Sequence, residues 1–122
     1  MMEKYLNEEQ IRSRLGAGRS VEQWLGFVEK DDFTILKWLS IDCVKNEGVA
    51  VVYQECVDEG GEEFLDIYEF SPIDPDEPFG VISTFSSIAD ALDFAVLTYN
   101  ASNAKYVASG MIQEEYLNYI NR

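Results

Sequence analysis

Hydrophobic residues recur at helical spacing at the two ends of the chain and at strand spacing between them. Asn7 and Gln10 stand at capping-box separation ahead of a segment that predicts a helix ending near Gly16. Ser20 and Gln23 repeat that separation before Val21, Trp24, Leu25 and Val28, which predicts a second helix. After Asp31-Asp32 the period changes. Phe33 to Val44 is rich in β-branched and aromatic residues and reads as a strand. Asn46-Glu47-Gly48 is a turn with glycine available for positive φ, and Val49 to Val57 reads as the second strand. Asp58-Glu59-Gly60-Gly61-Glu62 turns the chain into a third strand, Phe64 to Phe70. The segment Pro72 to Pro78 is a rigid loop, its three prolines unable to donate to a ladder, and Phe79 to Phe85 reads as the fourth strand. Ser87 and Asp90 then open a helix with its apolar stripe at Ile88, Ala91, Leu92, Ala95, Val96 and Tyr99. A last helix from about Met111 to Ile120 is expected to bury Met111 or Ile112, Tyr116, Leu117 and Ile120.

The expectation is therefore a single α+β domain over residues 1–122, with N-terminal helices, a four-stranded antiparallel meander and C-terminal helices, in the order ααββββαα. The helices are expected on one face of the sheet. At 47% apolar and 13% aromatic, the 122 residues suffice for one core and are unlike a disordered acidic chain.

Charge changes the picture. The 59 residues from Asn46 to Ala104 hold 13 Asp and Glu and no Lys, Arg or His, whereas the first 45 residues carry eight acids against seven bases and the last 18 carry two against two. Nearly all of the net charge of −14 is regional. A one-signed field of this kind steers partners of opposite sign. It also argues against direct nucleic-acid binding, since Arg12, Arg14, Arg19 and Lys30 are nearly matched by neighbouring acids.

Candidate chemistry is sparse. With no histidine, the commonest general base, the Ser-His and Cys-His pairs and the histidine-containing zinc sites are excluded. Gly16-Ala17-Gly18-Arg19 contains a G-x-G with no strand leading into it and reads as a helix stop. Asp74-Pro75-Asp76-Glu77 has the alternating carboxylates of a calcium loop, but Pro78 and the missing acid near position 85 break that pattern. Asn100-Ala101-Ser102 matches a glycosylation acceptor and reads as a helix end. Cys43 and Cys56 fall in the first two strands with Cys43 expected near Ala50 and Cys56 near Lys37, an offset too large for a disulfide. No catalytic residue, metal or cofactor is expected. The start, Met1-Met2-Glu3-Lys4-Tyr5-Leu6-Asn7, lacks a signal-peptide core, and no window is long enough for a membrane span, so a cytoplasmic protein is expected.

What remains is a binding protein. With Phe64, Asp66, Tyr68 and Phe70 on one side of the third strand and Glu63, Leu65, Ile67 and Glu69 on the other, aromatics and carboxylates share a surface. That mixture suits a protein interface, in which a few desolvated anchors supply affinity and a charged rim supplies rate. The candidate partner-binding residues are Asp58, Glu59, Glu62, Glu63, Asp66, Tyr68, Glu69, Asp74, Asp76 and Glu77, facing a basic protein partner. In size, charge and mixed α/β layout the chain resembles the small acidic immunity proteins of bacterial contact-dependent growth inhibition and related polymorphic toxin systems. The resemblance covers the whole chain and rests on no motif. It implies a cytosolic, non-catalytic protein that neutralises one toxin, often a nuclease, by occupying its basic cleft. Two other readings stay open: a DNA-mimic regulator of a DNA-binding protein, and an acidic soluble domain with no charge-based partner.

Overall fold

A computed structural model describes residues 4–44 and 46–122. The first three residues of the N-terminal segment read above, and Lys45, lie outside them. The chain folds as an α+β domain of three helices and one five-stranded antiparallel sheet. Its elements are α1 (Glu8–Gly16), β1 (Val21–Glu29), β2 (Thr34–Val44), β3 (Gly48–Val57), β4 (Val81–Phe85), α2 (Ile88–Tyr99), β5 (Val107–Ala108) and α3 (Ile112–Ile120). The strand order is β4-β3-β2-β1-β5.

Both capping signals that fit a helix's first turn produce helices. Asn7 Oδ1 accepts from Gln10 N at 2.8 Å while Gln10 Oε1 accepts from Asn7 N at 2.9 Å, closing the reciprocal box at α1. Ser87 Oγ accepts from Asp90 N at 3.1 Å at the start of α2, and Asn100, left-handed at φ 59°, ends it.

Five expectations are corrected. Residues 21–29 form a strand, not a second helix. Gly26, at φ +120°, sits at a bulge where the β1–β2 register shifts between Trp24 and Gly26. The extra residue turns a period of two into apolar positions at 21, 24, 25 and 28, which imitates a helix. Residues Phe64 to Phe70 form no strand; they lie across the sheet around a 3-10 turn, Ile67–Glu69. Their buried residues Ile67 and Phe70, with Phe64 before them, recur every third position, the 3-10 period. The sheet has a fifth strand, the two-residue β5, too short to leave a pattern. The β2–β3 register pairs Cys43 with Val49 and Cys56 with Leu36, one place from expectation, and both thiols are free.

The helices also divide between the two faces instead of sharing one. On the first face, Ile11 and Leu15 of α1 and Ala91, Leu92 and Ala95 of α2 pack on Val21, Leu39, Ile41, Val49 and Val51. On the second, Ile112 and Tyr116 of α3 join Ile67 and Phe70 over Leu36, Trp38 and Cys56. Central β2 is therefore buried on both sides, the reason it reads as an apolar run without clean alternation.

Candidate functional site

The acidic segment 58–80 closes one end of the second face and then the edge beside β3. Val57 N donates to Ser71 O at 2.9 Å and Ile73 N to Glu55 O at 3.0 Å, so residues 71–73 run along the end of β3. β4 takes up the same edge from Tyr53 onward, pairing Tyr53 with Val81 and Val49 with Phe85. Residues 74–80 are thus an excursion interrupting a single edge lane. Gln54 sits in the break, and its Nε2 donates to Phe79 O at 3.2 Å.

Three tight turns shape this segment. Gly61 and Phe64 exchange backbone hydrogen bonds at 3.1 and 3.0 Å, which places Glu62 and Glu63 at the exposed tip between them. Glu77 N donates to Asp74 O at 3.0 Å with Pro75 second in the turn, and Asp74 Oδ1 accepts from Asp76 N at 2.9 Å. Gly80 N donates to Glu77 O at 3.1 Å with Pro78 second, and Gly80 takes φ +86°. Phe79 stands at the crest of that turn, 79% exposed. The turn fixes the backbone that carries the ring, so binding need order only the side chain.

The ten residues singled out from the sequence separate into two groups. Asp58, Glu59 and Tyr68 are engaged within the fold. Asp58 Oδ1 accepts from the buried Tyr116 hydroxyl and from Gly60 N at 3.4 Å. Glu59 accepts from Ser71 N and, at 3.0 Å, from Ser71 Oγ. Tyr68 packs edge-on against Trp38 at 5.4 Å and donates to Glu22 Oε2 at 2.5 Å. Glu62, Glu63, Glu69, Asp74, Asp76 and Glu77 are exposed, and Asp66 is half-buried with Oδ1 unpartnered. The ion pairs among the described residues are Lys4–Glu115, Arg12–Glu8 and Arg122–Glu29. None involves a carboxylate of the base-free stretch.

Two recesses flank the excursion. One, of about 260 Å³, is lined by Tyr53, Gln54, Glu55, Ile73, Asp74, Glu77, Gly80 and Val81. Tyr53 stacks on Tyr99 at 4.2 Å and donates to Glu55 Oε2 at 2.6 Å. Burial first, then the Glu55 carboxylate, raises the Tyr53 pKa, keeping the hydroxyl protonated as a donor. The other recess, about 190 Å³, lies on the second face between Tyr68, Phe70, Pro72 and Phe79 and reaches Cys56. Burial pushes the Cys56 thiol up to about 12, which leaves it without nucleophilic thiolate at neutral pH.

Sequence reasoning missed Glu22. It is 3% exposed and accepts from Gly110 N at 2.9 Å, Ile112 N at 3.3 Å and Tyr68. Desolvation raises its pKa against those hydrogen bonds, which lower it. It lines neither recess, and its contacts fasten Tyr68 and the start of α3 to β1. Its place among Ser20 and Gln23 in an apparent helix start concealed it.

The Asp58–Tyr116 bond anchors the acidic segment to α3. Tyr116→Phe is expected to lower stability by about 1.5 kcal/mol, the value of a buried hydrogen bond to a charged group. Urea unfolding midpoints at pH 7 measure it. Among the described residues no cluster of His, Cys, Asp and Glu is arranged to hold a metal ion, and no helix is long and apolar enough to cross a membrane. Comparison with protein-family models, with curated proteins and with solved structures finds no match to this chain.

Proposed function

We propose that this chain is a non-catalytic acidic binding protein that occupies the basic surface of one protein partner, as an immunity protein does in neutralising a cognate toxin. The observation that carries this reading is the set of carboxylates at 62, 63, 69, 74, 76 and 77, exposed on rigid turns and joined to no Lys or Arg among the described residues. The exposed aromatics Phe64, Tyr68 and Phe79, at 45%, 44% and 79%, stand within the same segment and supply the desolvated anchors that charge alone does not.

The test begins with affinity capture from the native host and identification of the retained protein. Association of that purified protein with the wild type and with the triple variant Glu62→Lys, Glu63→Lys, Glu77→Lys is then followed by stopped flow. Loss of electrostatic steering is expected to slow association about tenfold at low salt. Equal rates, or a captured protein with no basic surface, overturn the reading.

A further inference from the structure

The two edges of the sheet are treated differently. At the β1 edge, β5 pairs with Val21 and Glu22, and beyond them a bulge at Gly26 distorts β1 while its pairing with β2 runs on to Glu29. Arg122 pairs with Glu29 at 3.6 Å further along, placing charge there as well. Short strands, bulges and charges are the usual means of blunting an edge. β4 has none of them. Its sequence Val81-Ile82-Ser83-Thr84-Phe85 is uncharged and β-prone, it pairs only with β3, and its backbone makes no other hydrogen bond among the described residues. From Pro78 to Ala89 there is no charged residue, in a region otherwise dense with acids. Ile82 is 57% exposed on the second face and Val81 39% on the first.

The acidic recess opens at the start of this strand. Val81 and Gly80 form part of its lining beside Glu55, Asp74 and Glu77, with the Tyr53 ring in its wall. A strand laid along β4 carries its side chains alternately to the two faces, so a Lys or Arg opposite Val81 enters that recess on the first face. Lys37, opposite Glu55 in the β2–β3 register, offsets part of the charge but forms no ion pair with it. Carboxylates and an aromatic wall together suit a cationic side chain.

We propose that β4 is a docking edge that receives an extended basic segment of the partner as a sixth strand, with one Lys or Arg seated in the Glu55–Asp74–Glu77 recess. Main-chain hydrogen bonds supply affinity and the recess supplies specificity. This rests on the reading of a basic partner and adds how that partner is held. A second copy of this chain is the less suitable occupant, because two bodies of net charge −14 repel.

The probe is the peptide (Lys-Val)4-Lys-amide, compared at low salt with its fully N-methylated form and with (Glu-Val)4-Glu-amide, binding being read from amide shifts of the 15N-labelled protein. The Lys peptide is expected to perturb Val81 to Phe85 and to bind at least about tenfold more tightly than its N-methylated form, which keeps the charge and loses the donors. Glu77→Gln, an exposed change, should weaken the Lys peptide severalfold. Equal binding of the two Lys peptides overturns strand addition and leaves the acidic docking reading standing. Equal binding of the Lys and Glu peptides along β4 overturns the basic partner instead. If no peptide binds, or if sedimentation shows dimers that Ile82→Lys dissolves, the proposal fails.

Discussion

Gly60→Ala is expected to destabilise the fold by about 3 kcal/mol, the upper end of what one added methyl costs in a packed site. A Cβ at Gly60 would overlap the Phe64 carbonyl oxygen and the Phe70 ring and lie 2.8 Å from the Tyr116 hydroxyl oxygen. None of these has room to retreat. Phe70 and Tyr116 are 5% and 0% exposed, and Phe64 is tied back to Gly61 by two backbone hydrogen bonds. Gly61 is the internal control. Nothing lies within 4 Å of a Cβ there, and its φ is not in the left-handed range, so Gly61→Ala should change stability by less than about 1 kcal/mol. Urea unfolding of both variants at constant m-value makes the comparison. Equal midpoints for the two would mean that segment 58–72 does not pack against α3 as described. The functional consequence is specific, since the Glu62–Glu63 tip is built directly on Gly60 and Gly61.

Where one element's own residues determine its shape, the sequence was readable. Asn7 with Gln10 and Ser87 with Asp90 set the starts of α1 and α2, and Asn46 and Gly48, both at positive φ, make the β2–β3 turn. Ser20 and Gln23 have the same spacing and cap nothing. Ser20 Oγ bonds to Asp42, and Gln23 exchanges hydrogen bonds with the Ser102 backbone at 2.7 and 2.8 Å, partners far along the chain. The edge lane beside β3 is equally non-local: one half is 71–73 and the other is β4, and no short window contains both. In the candidate site, exposure of Glu62, Glu63 and Asp74 to Glu77 follows from turn-forming Gly and Pro and was legible. The internal engagement of Asp58, Glu59 and Tyr68 was not, because each depends on a hydrogen bond to a residue at least twelve positions away.

Glu22→Ala is expected to cost about 3 kcal/mol at pH 7, because it strands two backbone N–H groups and a tyrosine hydroxyl in a site almost closed to water. Glu22→Gln separates the charge from the hydrogen bonds. An amide oxygen still accepts from Gly110 N and Ile112 N, and the Tyr68 hydroxyl can accept from the amide nitrogen. The charge itself opposes burial: desolvation outweighs the three hydrogen bonds and lifts the Glu22 pKa above the usual carboxylate range. A folded-state pKa above the unfolded one means that the folded protein holds this proton more tightly. The stability contributed by protonated Glu22 is therefore complete below the unfolded value, about 4.3, and is lost as pH rises through the higher folded value. The difference in stability between Glu22→Gln and wild type should accordingly shift in favour of the Gln variant across that interval and stay constant above it. Urea titrations from pH 4 to 8 on both proteins isolate this one group, since the exposed carboxylates are common to the pair and cancel. A difference that does not vary with pH would mean that Glu22 is ionised as readily inside the protein as outside it, its three donors offsetting its burial, and a shift of the opposite sign would mean that the donors prevail.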